Sequence, residues 1–277
     1  MPYAHLVTPG EKVHLADFDP GDTHDISRDD ATASSAHLED QLTALQEALY
    51  ASGDRSIVIV LQGIDTAGKD GTIKHVMAAF NPAGCRVESF KVPTPVELAH
   101  DFLWRVHRVT PANGAISIFN RSHYEDVLVA RVHKLVPQKV WERRYAHIND
   151  FESLLADNGT IILKFFLYIS KQEQKERLEA RQQDPMKAWK LSPSDWSEHE
   201  LYDAYIEAYQ DALERCSTRH APWYIVPADH KWFRNLAVAQ TLVDVLEPDV
   251  NRWEEDVRRR GRENLEAIRA LPRRGSV

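Results

Sequence analysis

Five short apolar runs punctuate the chain, at residues 57–61, 86–91, 115–119, 160–169 and 223–226. The first, Ile57-Val58-Ile59-Val60-Leu61, is unbroken and rich in β-branched residues, which predicts a strand covered on both faces in a parallel sheet. Helical periodicity fills the intervals between the runs. Such alternation predicts an α/β fold in which a parallel five-stranded sheet is flanked by helices. Ahead of the first strand, Leu38, Leu42, Leu45 and Leu49 form one helical stripe. Residues 137–157 and 171–217 are helical excursions, and the second, charged and aromatic, is placed to close as a lid over the carboxyl edge of the sheet. Beyond Pro248 the charges recur at helical spacing, as in a surface helix or a partner-binding arm. The expected division is an acidic lead-in over 1–34, one domain over 35–249 with its lid near 177–198, and a helical tail over 250–277.

Composition narrows the class. The 277 residues are long enough for one large domain with a buried core. The formal net charge of −8 argues at first against a polyanionic partner. Its distribution alters that reading. Residues 1–50 hold ten carboxylates against two bases, Lys12 and Arg28, so the rest of the chain is neutral. Two cysteines, Cys85 and Cys216, with no close-set Cys/His cluster, give no disulfide framework or structural zinc site and point to a reducing compartment. The N-terminus has neither a basic start nor an apolar run, and the apolar stretches are about half the length of roughly 20 residues that crosses a bilayer. The expectation is a soluble, cytoplasmic protein with no membrane or nucleic-acid partner.

The most informative stretch is Gly63-Ile64-Asp65-Thr66-Ala67-Gly68-Lys69-Asp70-Gly71-Thr72, directly after the first strand and before a helical pattern. It satisfies most of the phosphate-loop template G-x-x-x-x-G-K-[ST]. Backbone N–H groups freed by glycine curl around phosphate oxygens at a helix N-terminus, and Lys69 adds a point charge. Asp70 departs from the template, standing where a Ser or Thr usually helps hold magnesium. Asp65 places a carboxylate beside the phosphates, which is tolerable when a divalent cation or a protonatable substrate group sits there too.

A second stretch, Asn120-Arg121-Ser122-His123-Tyr124-Glu125-Asp126, follows an apolar strand into a polar turn, where sheets of this kind place ligands. Asn120 stands where a metal-orienting Asp is common. Arg121 is suited to an oxyanion and Glu125 to a metal or a proton, although spacing also allows the two simply to pair on a helix surface. His123 reads either as a phosphate acceptor or as an ordinary hydrogen-bonding residue. In the third stretch, Arg177 and Arg181 share a helical face, Pro185 breaks the helix, and Lys187 and Lys190 follow. These four cations form an anion-gripping lid or, with Glu176, Glu179 and Asp184 interleaved, a solvated face.

Together the motifs GIDTAGKDGT (63–72), KVPTPVELAHDFLWR (91–105), IFNRSHYEDVLVARVH (118–133), RLEARQQDPMKAWKLS (177–192) and APWYIVPADHKWFRNLAV (221–238) resemble the polyphosphate kinase 2 family of phosphate-loop kinases. The resemblance covers residues 35–247. It implies phosphoryl transfer from inorganic polyphosphate to adenine or guanine nucleotides, with Mg2+ or Mn2+ as cofactor. Asp65, Lys69, Arg121 and Glu125 are the expected catalytic residues, with Asp65 and Glu125 as metal ligands. Gly63, Ala67, Gly68, Lys69, Asp70, Gly71, Thr72, Lys74, Arg121, Arg131, Arg177, Arg181, Lys187 and Lys190 are the expected phosphate and polyphosphate contacts. Lys91, Thr94, Pro95 and Arg105 are assigned to the nucleotide, with Trp104 read equally as a core residue. The Asn120 and Glu125 pattern resembles the class III subgroup, which implies both AMP and ADP as acceptors. A homodimer or homotetramer is also implied, with the leucine stripe or residues 137–157 as its interface.

Overall fold

Seven consecutive residues of Ser56–Gln62 are buried, as their β-branched composition predicts, and this strand lies at the middle of the sheet. The structure, a computed structural model, describes residues 2–186, 188–190, 192 and 194–271, the side chains of Lys190 and Ser194 excepted. The first half of the chain contains β1 (His5–Val7), α1 (Arg28–Ser52), β2 (Ser56–Gln62), α2 (Lys69–Val76), β3 (Cys85–Ser89), α3 (Pro95–Leu98), α4 (Trp104–His107) and β4 (Ile116–Asn120). There follow α5 (Val129–Val132), α6 (Gln138–Asp157), β5 (Thr160–Tyr168), α7 (Lys171–Gln183), α8 (Ser194–Glu200), α9 (Tyr202–Cys216), β6 (Trp223–Pro227) and α10 (Lys231–Ala270).

The strand order is β1-β6-β5-β2-β4-β3. Ile59 at the centre of β2 stands opposite Ile118 of β4 and Leu163 of β5, both parallel. The expected five-stranded parallel sheet is present, with one correction: β1 adds a sixth, antiparallel strand, with Leu6 opposite Tyr224. A three-residue strand is too short to show periodicity. It is fastened instead by Ser217 Oγ, which donates to Val7 O and accepts from the Trp223 N–H.

The acidic lead-in therefore contributes a strand to the sheet. Its carboxylates have a local use, because Ser27 caps α1 by accepting from the Asp30 N–H while Asp29 and Asp30 occupy the first turn. Negative charge there complements the helix dipole. The stripe of Leu38, Leu42, Leu45 and Leu49 is buried against α10 of the same chain. It is consumed by the core and does not present an interface. Helix α10 runs unbroken from Lys231 to Ala270, across Pro248 and across the expected division at residues 249 and 250. Trp253, fully buried, ties the helix to the body past the proline.

One polar network lies inside this core. Lys164 of β5 has no exposed surface and donates to Glu152 Oε2 (2.5 Å), Tyr124 Oη (2.8 Å) and Cys216 O (2.7 Å). Glu152 Oε1 in turn accepts from Tyr124 Oη and meets His123 Nε2 at 3.1 Å. Burial works against the Glu152 carboxylate, but Lys164 and His123 outweigh it and hold its pKa below the ordinary value. The pair pins α6 to the turn that carries Arg121 and Glu125. Removing one partner leaves a buried charge unanswered. Lys164→Met is expected to lose about 3–5 kcal/mol in urea unfolding, and Lys164→Met with Glu152→Gln to recover most of it. Equal losses in the single and double variants would show that the pair is not the determinant.

Candidate active site

The loop after β2 turns where the sequence places its glycines. At Gly63 a Cβ would come within 2.8 Å of Leu167 O, so the chain can pass the β5 backbone only without a side chain. Gly68 adopts φ +103° at the N-terminus of α2, a conformation that favours glycine. Thr66 between them is also left-handed, at φ +66°. On the neighbouring strand end Arg121 has φ +63°, and its N–H donates to Leu61 O. A non-glycine residue held in this region at a strand end marks a constrained site.

A cavity of about 540 Å3 opens at this edge. Gly63, Asp65, Lys91, Arg105, Arg121 and Glu125 line it, together with Tyr202, Tyr205 and Tyr209 of α9. Asp65 sits between two guanidiniums, 4.0 Å from Arg121 Nη2 and 3.6 Å from Arg181 Nη1. Arg121 Nη1 also donates to Glu125 Oε2 at 2.9 Å, and this carboxylate is the main cause that raises the Arg121 pKa. The i and i+4 pairing that spacing allowed is thus present, but inside the cavity and not on a solvated helix face.

Lys69 is turned back onto its own loop, where Nζ donates to Gly63 O (2.7 Å) and Ile64 O (3.2 Å). Burial pushes its ammonium down to about 8; Arg121 adds to the shift, while Asp65, Glu125 and Asp70 oppose it. Asp70 accepts from Asn120 Nδ2 at 2.8 Å, so the residue in the template's Ser/Thr place is bonded to the one standing where a metal-orienting Asp is common.

Several expected contacts lie elsewhere. Arg177 is 7% exposed and faces the back of the loop, donating to Thr66 O, Ala67 O, Ala228 O and Asp229 O, with Nε on Glu173. Its donors are spent on backbone carbonyls, so it braces the loop and is not placed to grip a chain in the cavity. Arg131 is clasped by Asp211 Oδ2 (2.6 Å) and Glu207 Oε1 (2.8 Å) of α9, outside the cavity lining. Thr72 is fully buried and donates to Gly68 O, and Ala67 is buried. Lys74 is exposed on α2, away from the cavity lining. Lys187 and the Lys190 side chain lie outside the described residues.

Of the residues assigned to a nucleotide, Arg105 donates to Lys91 O at 2.8 Å, stacks over Phe90 and approaches Asp126, so Lys91 and Arg105 meet at the cavity wall. Thr94 and Pro95 instead start α3, with Thr94 and Glu97 forming a capping box. Thr94 lines an adjoining cavity of about 210 Å3 that shares Lys91 and Arg105. Trp104 is not a core residue; it stacks on His100 (4.0 Å) and carries Arg108 on its face. His123 is buried in the Glu152 network, which fits the hydrogen-bonding role.

The sequence reading missed the α9 tyrosines. Tyr209 Oη accepts from the Gly63 N–H (3.1 Å) and donates to Gln62 Oε1, while Gln62 Nε2 donates to Ser122 Oγ. This relay ties the phosphate loop to the Arg121 turn. Tyr202, Tyr205 and Tyr209, at i, i+3 and i+7, were a legible stripe. Gln174 was hidden in a charged helix; it donates to Asp65 O and bonds His199 of α8.

A model of the family described as "Polyphosphate kinase 2 (PPK2)" matches residues 25–253. The chain belongs to the polyphosphate kinase 2 family. It is 51% identical to the AMP/ADP-polyphosphate phosphotransferase of Meiothermus ruber, covering 88% of this chain and 92% of the relative. It is 42% identical to the ADP-polyphosphate phosphotransferase of Rhodopseudomonas palustris, with 84% of each covered. The crystal structure of polyphosphate kinase 2 from Arthrobacter aurescens TC1 superposes with a TM-score of 0.84 at 42% identity, covering 90% of this chain and 92% of that one. The two chains thus share the polyphosphate kinase 2 fold, a central sheet flanked by helices.

Magnesium asks little of a protein, since it keeps several waters and takes phosphate oxygens along with one or two carboxylates. Among the described residues no three His, Cys, Asp or Glu side chains converge as a metal cage. Asp65, partly exposed at the cavity, fits the lighter demand, whereas Glu125 already has one oxygen on Arg121.

Because Lys69 titrates near 8 before a polyanion arrives, its charge is present at pH 7 and lost above pH 8. An arriving phosphate chain favours the protonated form. Binding of sodium tripolyphosphate, measured by calorimetry between pH 7 and 9, is expected to weaken by up to about tenfold per pH unit above 8. In Lys69→Met that dependence should vanish; its persistence would assign the titration to another group.

Proposed function

We propose that this member of the polyphosphate kinase 2 family transfers phosphoryl groups reversibly from inorganic polyphosphate to nucleoside mono- and diphosphates, converting AMP to ADP and ADP to ATP. The observation that carries the reading is the pairing of a phosphate loop with two further cations, Arg121 of the cavity lining and Arg181 of α7, both on the loop carboxylate Asp65. Relatives named for AMP/ADP and ADP phosphotransfer from polyphosphate support it.

Phosphoryl transfer needs donor and acceptor held in line and charge on the equatorial oxygens answered, with little covalent help from the protein. The loop N–H groups and Lys69 hold one phosphate chain. Arg121 and Arg181 exchange Asp65 for phosphate oxygens as the chain enters. Glu125 keeps Arg121 aimed into the cavity, and Arg105 and Lys91 meet the acceptor phosphate at the other wall. When bound, magnesium supplies neutralisation of the phosphate oxygens, with Asp65 as its protein carboxylate. An acceptor phosphate is already ionised near neutral pH, so no side-chain nucleophile or strong base is required. On this reading the enzyme acts in the cytoplasm as a homo-oligomer. Among the described residues no helix is long and apolar enough to cross a membrane.

Purified protein incubated with AMP or ADP, magnesium and polyphosphate should form ATP without any added nucleoside triphosphate. Turnover with ATP and AMP alone, and none with polyphosphate, would favour an ATP-dependent nucleoside monophosphate kinase of thymidylate-kinase type and contradict the proposal. Lys69→Ala and Asp65→Asn are each expected to lower kcat by roughly 10²-fold or more, as when a transition-state charge partner is lost. Near-normal rates in either would move the site.

A further inference from the structure

Helix α10 begins beneath the phosphate loop, and its first turns are apolar and buried, with Phe233, Leu236 and Ala237 in the core. Arg234 lies among them at 2% exposure. Its guanidinium is pressed against the reverse side of the loop: Nη1 donates to Ala67 O (3.3 Å), while Nε and Nη2 donate to Asn235 Oδ1. A methyl group on Gly68 would collide with the guanidinium, and one on Gly71 would stand 3.0 Å from Nη2. Glycine at both positions therefore admits this cation as well as the turn of the loop.

The charge of Arg234 is poorly answered. Arg177 beside it has Glu173 at 2.7 Å. For Arg234, burial lowers the pKa to about 10, and among the described residues the charge that bears on it is that of Arg177, of like sign. The same few residues also carry Lys69 and the positive end of α2, an eight-residue helix. A buried cation without an anion is strongly unfavourable unless an anion arrives from outside. The loop whose carbonyl it holds, with Gly68 and Gly71 against the guanidinium, presents its N–H groups to such an anion. A guanidinium does not lose its proton in the accessible pH range, in contrast to Lys69.

We propose that Arg234 is a positioning residue for the phosphate chain: a fixed charge behind the loop that strengthens its grip on the polyanion through the backbone, without touching it. The structural alternative is that Arg234 only braces Ala67 O. The two roles separate by substitution, since Arg234→Gln removes the charge and keeps a donor, whereas Arg234→Lys keeps the charge and discards the fork of hydrogen bonds.

The inference rests on a phosphate chain occupying the loop as proposed above, and wild-type binding tests that reading separately. The experiment is calorimetric binding of sodium tripolyphosphate with magnesium over a range of NaCl concentrations, with melting temperatures measured with and without tripolyphosphate. Arg234→Gln is expected to bind roughly tenfold more weakly with a shallower salt dependence, as when one phosphate-directed charge is lost. Its ligand-free Tm should equal or exceed that of the wild type, because an unanswered buried charge has gone, and its ligand-induced rise in Tm should shrink. Arg234→Lys should bind within about threefold of wild type, since one charge is retained. An Arg234→Gln protein with a lower ligand-free Tm and unchanged affinity would overturn the proposal in favour of a brace. If Arg234→Gln does not fold, Arg234→Lys decides, and a loss of tenfold or more there would overturn the proposal. A wild type that fails to bind tripolyphosphate would overturn the reading of the site along with it.

Discussion

Like charges repel, and the carboxyl end of β2 gathers Lys69, Arg121, Arg177, Arg181 and Arg234 around ten residues of loop. The architecture of the site is the answer to that repulsion. Arg177 and Arg234 are kept behind the loop on backbone carbonyls. Lys69 is parked on Gly63 O and Ile64 O. Arg121 and Arg181 share Asp65. These arrangements give each cation an oxygen partner within the protein. The front and back of the loop thus differ: under the proposed function the cations in front move onto substrate, and those behind stay where they are.

The surrounding fold serves this arrangement. The buried Lys164 and Glu152 pair fixes the Arg121 turn from below. Tyr209 and Gln62 fix its distance from the loop from the side. Gln174 and His199 connect α7 and α8 to Asp65 O, so the helices that cover the cavity are tied to the residue that sits between the two guanidiniums. Each link is a hydrogen bond between buried or half-buried groups, where the low local dielectric strengthens it.

Much of this was legible in the sequence because it is carried by local pattern. The five parallel strands, the phosphate loop and the polar turn after β4 each follow from contiguous residues whose periodicity or glycine spacing has a direct backbone meaning. What was not legible depends on side-chain direction over long sequence separations. Arg177 and Arg181 are four apart and read alike, yet Arg177 faces the back of the loop and Arg181 faces Asp65. Arg131 looked like a further cation for substrate until Asp211 and Glu207, some eighty residues on, claimed it. Strand β1 was hidden because three residues carry no period. The net charge of −8 misled for a related reason: the excess lies in the first fifty residues, part of it capping α1, while the cations converge at the sheet edge only after folding.

The central claim, that cations in front of the loop transfer to substrate while those behind it do not, is tested most directly by a crystal structure with magnesium and a non-hydrolysable methylene-bridged polyphosphate. The account predicts Lys69 Nζ released from Gly63 O onto a phosphate oxygen and Arg121 and Arg181 turned from Asp65 to the chain, with Arg177 and Arg234 still on Thr66 O and Ala67 O. A chain bound away from the loop, with Lys69 still on Gly63 O, or a chain held directly by Arg177 or Arg234, would contradict it.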